Sequence, residues 1–241
     1  MTTPADLIAI LREDYLDDVA DIEDPDRLDF TDGLVFSTGY LLREIGTAQR
    51  QACYRQDLRH IFDEDTPEIC TVQIVANQQS YTLDSRILRL HQVRLDDDVL
   101  THITQAWLEN TGYNWREASG TPRQFFITGR KLTLDNPPTT GTLNLSVWRE
   151  PLANPQLHDD LEWTSEPENL CYWVAFRAFQ KPNTHIYDVK RAAEYRAMFD
   201  NAFGPEVSAQ ARAELLAYPA LNFGPAASSG CIRHSFDICM G

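Results

Sequence analysis

The chemistry in this 241-residue chain must come from six histidines, five cysteines and 36 acidic residues. His60, His91, His102, His158, His185 and His234 are dispersed, and none forms HExxH or another compact ligand pair. Cys231, His234 and Cys239 can be drawn as metal ligands, but their spacing fits no standard zinc module and a fourth ligand is missing. Asp96, Asp97 and Asp98 invite a divalent cation, yet adjacent strand residues point to opposite faces, so the run reads as a solvated turn. "DEDTPE" at 63–68 reads as a loop. There is no GxSxG elbow, P-loop or GxGxxG, and no spacing singles out a carboxylate pair. Trp107, Trp115, Trp148 and Trp163 have faces that stack on sugars or bases, with core and interface packing the stronger expectation. No catalytic residue, metal or cofactor is expected, and nothing asks for an enzyme.

Charge narrows the partners. The formal net charge is −15, and the excess is concentrated at the N-terminal end, where "DDVADIEDPDRLD" is strongly acidic. Phosphate-backbone binding needs clustered Lys and Arg. An acidic surface suits either plain solubility or a wall that DNA passes without sticking. Only Lys131, Lys181 and Lys190 are lysines, and the Arg dominance leans toward interfaces, where the guanidinium fork pairs carboxylates in two places. No apolar run approaches the roughly 20 residues of a membrane span, and "MTTPADLIAI" has no basic n-region. The expectation is a soluble, untargeted, cytosolic product with no membrane partner. The scattered, odd-numbered cysteines (Cys53, Cys70, Cys171, Cys231, Cys239) read as buried thiols in a reducing compartment.

The elements that would carry any function fall into three blocks and a tail. Thr3, Pro4 and Asp6 form a helix start, followed by Leu7, Ile8, Leu11 and Tyr15 at helical spacing. A longer helix is predicted over about 31–58, with Leu41, Ile45, Ala48 and Ala52 as its apolar stripe. From Cys70 the period drops to two, through Val72 and Ile74, Tyr81 and Leu83, and Leu88 and Leu90. It continues through Val93 and Leu95, Leu132 and Leu134, and Leu143 to Val147, predicting an antiparallel sandwich or barrel. After Pro151 helical spacing returns: Ser165 and Glu168 have capping-box spacing, and Ala192, Tyr195, Phe199 and Phe203 share a face before the Gly204-Pro205 stop. The predicted fold class is α+β, with the helical parts 1–69 and 151–205 packing together around a β domain inserted at 70–150. An extended arm at 206–241 follows.

Two features are candidate contact sites. The arm ends in Ile232, Phe236, Ile238 and Met240 after a Gly-, Pro-, Ala- and Ser-rich stretch, which suits a docking peptide. A tail packed on its own subunit, or one simply disordered, is the other reading. The segment "SGTPRQFFITGRKLTLDNPPTTGTLNLSVWREP" at 119–151 is well-patterned strand and carries no chemistry. Its loops, Gly129-Arg130-Lys131 and the one containing Asn136, Pro137 and Pro138, are therefore expected to contact protein.

The order of these pieces supplies a resemblance. "LLREIGTAQRQACYRQDL", "VANQQSYTL", "RILRLHQVRLDDDVL" and "ASGTPRQFFITGRKLTLDNPPT" occur in that order. "LSVWREP" and "ENLCYWVAFRAFQKPNTHIYDVKRAAEYRAMFDNAFG" complete the set, over about residues 35–205. The set resembles the head-to-tail adaptor (connector) proteins of tailed bacteriophages, including the tubular tail proteins. The pattern breaks at "DPDRLDFTDGLVFSTGY", residues 24–40, which leaves the start of the second helix open. The resemblance implies a structural virion protein at the head-tail junction, assembled in host cytoplasm as a homo-oligomeric ring, commonly of twelve copies. It would dock below the portal around the DNA channel, with the C-terminal arm reaching the portal protein. The β-domain loops would contact a downstream tail or nozzle protein, and DNA would pass without specific binding. The alternatives are a tail terminator or head-completion protein of similar fold, or a carbohydrate-binding or hydrolytic β-domain protein.

Overall fold

A computed structural model describes residues 2–18, 35–55, 61–110, 114–116, 118, 120–162, 165–182 and 184–217. Helix α1 (Pro4–Ile10) starts as its sequence dictates. Asp6 N donates to the Thr3 hydroxyl (3.3 Å), and the Asp6 carboxylate accepts from Thr3 N (2.8 Å). The helix continues as a π-helical turn over Leu11–Leu16 and stops at Asp17, whose φ of 48° is left-handed. Helix α2 spans Thr38–Cys53, shorter than the predicted 31–58. Asp18 accepts from the backbone of Val35 (2.7 Å) and Phe36 (3.2 Å), fixing the chain ahead of the Ser37 cap. The predicted stripe of Leu41, Ile45, Ala48 and Ala52 is fully buried.

The helical core is completed from the other end of the chain. A 3-10 turn (Pro167–Asn169) leads into α5 (Leu170–Phe179), and α6 follows (Val189–Phe203). The cap of that turn is Glu166, so Ser165 stands one residue too early for the expected capping box. Helix α5 lies between α2 and α6, packing on both, and Trp173 meets Phe199 at 5.2 Å between ring centroids. On its outer side α2 is crossed by the 151–162 strap. There a Cβ on Gly46 would lie 2.8 Å from Pro155 Cδ, and Arg50 Nη1 donates to Asn154 Oδ1 (2.9 Å).

Along the chain between α2 and the strap comes a two-sheet sandwich. One sheet has the order β1-β9-β4-β5, with β2 also on β9, and the other has β3-β8-β7-β6. The strands of the first are β1 (Ile61–Asp63), β2 (Thr71–Gln73), β4 (Ile87–Leu95), β5 (Asp98–Val99) and β9 (Thr142–Arg149). Those of the second are β3 (Ser80–Thr82), β6 (Thr101–His102), β7 (Gln124–Thr128) and β8 (Lys131–Leu134). Short helices α3 (Pro67–Cys70) and α4 (Gln105–Asn110) decorate it. Pairing is antiparallel except for β6 on β7, which is parallel, so the expected all-antiparallel arrangement is mixed at one edge. Sheet pairing also begins earlier than residue 70, at Ile61.

Strand β4 unites what sequence alternation split into two, because two irregularities interrupt its register on β9. A bulge adds one residue and shifts the alternation, so residues three apart across it can share a face. Leu88 consequently joins the helical core while Ile87 and Leu90 join the sandwich core. A charged cluster locks the incoming and outgoing strands of the insertion. Arg149 pairs with Asp63 and with Glu162, and Asp63 also accepts from Thr66 Oγ1 (2.7 Å) and the backbone of Asp65 and Thr66 (both 3.0 Å). Burial works against the Asp63 charge, but the bonds from Thr66, Arg149 and Asp65 outweigh it and hold the carboxyl well below the usual carboxylate range.

Two expectations follow. Replacing Gly46 with Ala drives a methyl group against a rigid proline ring, and should lower thermal stability by about 1–3 kcal/mol without changing the far-UV dichroism. Asp63 has a folded-state pKa below its unfolded value of about 4, so its stabilisation is fully present above that value and is lost as pH falls from there through the folded-state pKa. Asp63→Ala should cost about 3–5 kcal/mol at neutral pH, measured by urea unfolding. The gap to wild type should shrink as the pH is lowered from about 5 towards 2.

Candidate assembly surfaces

The residues with chemical potential are not gathered into a reactive site. Among the described residues, no group of three or more His, Cys, Asp or Glu is placed to hold a metal. Cys53, Cys70 and Cys171 are buried free thiols, and burial pushes Cys70 and Cys171 up to about 12. Cys231, His234, Cys239, His60 and Trp163 lie outside the described residues. The acidic runs serve the fold. Asp96 Oδ1 accepts from Thr142 N (2.9 Å), its carbonyl accepts from Asn144 Nδ2 (3.2 Å), and Asp63 closes the insertion. Trp115 is buried against Phe126, and Trp173 is in the helical core, as packing predicts.

The two predicted contact loops lie at opposite ends of β8. Gly129 (φ 60°) and Arg130 form the β7–β8 turn at the end facing the helices. There the Arg130 guanidinium donates to the carbonyls of Asp84 and Ile87 (2.9 Å to Ile87), and is spent inside the domain. Gly129 and Lys131 are exposed, and Arg130 is half-buried. The other loop does not form a hairpin. It carries the chain from β8 in one sheet to β9 in the other. Pro138 is buried, and its carbonyl accepts from Asn77 N (3.1 Å). Asn136 and Pro137 are half-buried, and Thr139 and Thr140 form the exposed tip. With the turn at Val75–Gln78 and the Asp96–Asp98 turn, this loop makes the far end of the sandwich, where Val75 and Val99 are exposed.

The first part of the expected arm is a helix. Helix α7 (Ala209–Ala217) packs across β4 and β7 and puts Leu216 into the sandwich core. Its base is tied down by Val207 N donating to Tyr54 O (2.9 Å) and by Arg212 stacked over the Tyr54 ring (4.3 Å). Arg55, fully buried at the end of α2, pairs with Asp200 (3.1 Å) and Glu206 (3.3 Å). A groove under α7 is lined by Tyr54, Ile87, Leu88, Gly129 and Leu216. The predicted docking residues Ile232, Phe236, Ile238 and Met240 lie outside the described residues.

Sequence inspection missed the exposed apolar side chains of Phe62, Tyr187, Val189 and Met198, while Trp107, one of the four tryptophans singled out, is also exposed. Phe62 stacks edge-on with Trp148 (5.1 Å) and His91 (5.4 Å), an aromatic patch on the outer face of the first sheet. Strand alternation could have signalled it, since Phe62 and Trp148 stand outside the alternation that fills the core. Val189 and Met198 lie off the Ala192–Phe199–Phe203 stripe, and their positions on the α6 wheel are the available signal.

No helix of the described residues is long and apolar enough to cross a membrane. A comparison with curated proteins found no match. The family model described as SU10 adaptor protein matches residues 2–222, from the capped first helix past the end of α7. That family is one of structural phage adaptors, which is not an enzyme class. On a match covering nearly the whole chain, the protein belongs to the SU10 adaptor protein family and is a phage structural adaptor.

Proposed function

We propose that this protein is the head-to-tail adaptor of a tailed phage, forming a ring below the portal that joins capsid to tail and surrounds the DNA channel. The observation that carries this reading is the family match over residues 2–222. The fold is consistent with it. A ring subunit needs a stiff body, and here two cores are welded by β4, by Arg149 with Asp63, and by Arg55 with Asp200 and Glu206. The net charge of −15 favours passage of DNA over adhesion to it.

Within this reading, residues 218–241 are the portal-docking arm, presenting Ile232, Phe236, Ile238 and Met240. The segment leaves α7 at Ala217, beside the sandwich, and can span up to roughly 80 Å when extended. The far end of the sandwich, with Asn136, Pro137, Pro138, Val75 and Val99, meets the downstream tail component. At the other end of β8, Arg130 gives its guanidinium to the domain's own carbonyls, and exposed Gly129 and Lys131 remain open to a separate contact.

The structure changes where a truncation must be made. A cut after Gly204 removes Leu216 from the sandwich core and destabilises the subunit, whereas a cut after Ala217 leaves every described contact. The Ala217 truncation should keep the wild-type melting temperature and lose binding to isolated portal rings. Normal docking by this variant would sink the arm assignment. Val75→Asp with Val99→Asp should leave portal binding intact and abolish attachment of the downstream component. Electron micrographs of particles check the location: the protein at the far end of the tail, away from the portal, would identify it instead as a tail terminator.

A further inference from the structure

Helix α7 is held to the body of the subunit by very little. Of its nine residues only Leu216 is buried, whereas α5 buries seven of ten. Leu215 is half-buried against the helical core, and Ala209, Ala213 and Glu214 are exposed. The first turn carries no acid and the last turn no base, so no side-chain charge complements the helix dipole. A helix this short is marginal in water by itself and depends on its packing.

That packing is incomplete on the side turned towards the body. Ala209, Arg212, Ala213 and Leu216 recur at helical spacing and line one wall of the groove under α7. Tyr54, Ser85, Ile87 and Leu88 line the opposite wall. The groove has a volume of about 310 Å³. Part of the inner face of α7 therefore stands off the strands beneath it, and the facing side chains forgo dispersion contacts there.

The ties lie at the two ends. At the C-terminal end Leu216 enters the sandwich core, and the Ala217 carbonyl accepts from the His102 ring. At the N-terminal end Val207 N donates to Tyr54 O (2.9 Å), and Arg212 stacks on the Tyr54 ring (4.3 Å). One residue earlier the hold is stronger, since Glu206 pairs with the fully buried Arg55 (3.3 Å).

We propose that α7 is a clasp: residues 207–217 swing off the sandwich as a unit about Glu206 while the bundle and the sandwich stay folded. Segments with few buried apolar contacts open locally at a small fraction of the free energy of global unfolding. Opening uncovers Ile87 and Leu88, and the released stretch spans up to roughly 35 Å when extended, which lengthens the segment beyond Ala217. The use of that added reach in docking rests on the portal-arm reading of residues 218–241; the clasp itself does not.

Hydrogen exchange of the free full-length protein, read by mass spectrometry, tests the clasp. Peptides covering 207–217 should exchange about a hundredfold faster than those covering 170–179. A bridge should hold the clasp shut. In a Cys231→Ser, Cys239→Ser background, Ser85→Cys and Ala213→Cys stand across the groove and are joined by a short bismaleimide. The joined protein should gain protection over 207–217, and should bind isolated portal rings about tenfold more weakly than the same variant left unjoined. Exchange of 207–217 at the rate of 170–179 in the unjoined protein overturns the clasp. Full-strength portal binding by the joined protein overturns its part in docking. If neither form binds portal rings, the arm reading falls, and the exchange rates still decide the clasp.

Discussion

The joint on which this structure depends is the closure of its insertion by Arg149. The chain leaves the helical bundle after α2, builds the sandwich, and returns through β9. Incoming β1 and outgoing β9 lie side by side, and Arg149, opposite Ile61, bonds Asp63 and Glu162. Without that closure the two chain segments that form the bundle are tethered only through a folded domain of their own making. A buried charge pair is a weak source of net stability, because desolvation offsets the attraction. Its geometric value is larger: it admits one arrangement of the two strands, and therefore one placement of sandwich on bundle. Arg55 repeats the device at the end of α2, where Asp200 and Glu206 hold α6 and the approach to α7.

The apolar cores reinforce that placement. Leu88 and Ile61 belong to the helical core, although both lie on the sandwich's strands or their pairs. Leu216, from the C-terminal helix, belongs to the sandwich core. Each half thus lends residues to the other, and bending the joint would withdraw apolar side chains from both. For a protein whose family role is to connect other proteins, a stiff subunit lets contacts at one surface hold the others in position.

Most of the helical core was legible along the chain. Leu41, Ile45, Ala48 and Ala52 on α2, and Ala192, Phe199 and Phe203 on α6, follow a period that one-sided burial demands. The capped start of α1 was equally readable, since Thr3, Pro4 and Asp6 act within four residues. Strand existence was readable from alternation, but strand continuity was not. The irregularities in β4 break the alternation that would have shown it as one element.

The sequence by itself determined the kind of object: an α+β chain with a β insertion between helical segments, and charge that discourages binding of nucleic acid. Its ordered motifs also carried the family. Those properties are local or additive, so they survive without a fold. Only the tertiary structure decided which loop residues face outward. Arg130 and Pro138 read as exposed loop residues, yet one gives its guanidinium to the carbonyls of Asp84 and Ile87 and the other is packed beneath the turn at Asn77. It also turned the start of the expected arm into α7, because Leu216 gains burial between β4 and β7 that no neighbour in sequence offers. Contacts between residues far apart in the chain are a property of the packed whole, and they settle which polar groups and apolar faces remain for a partner.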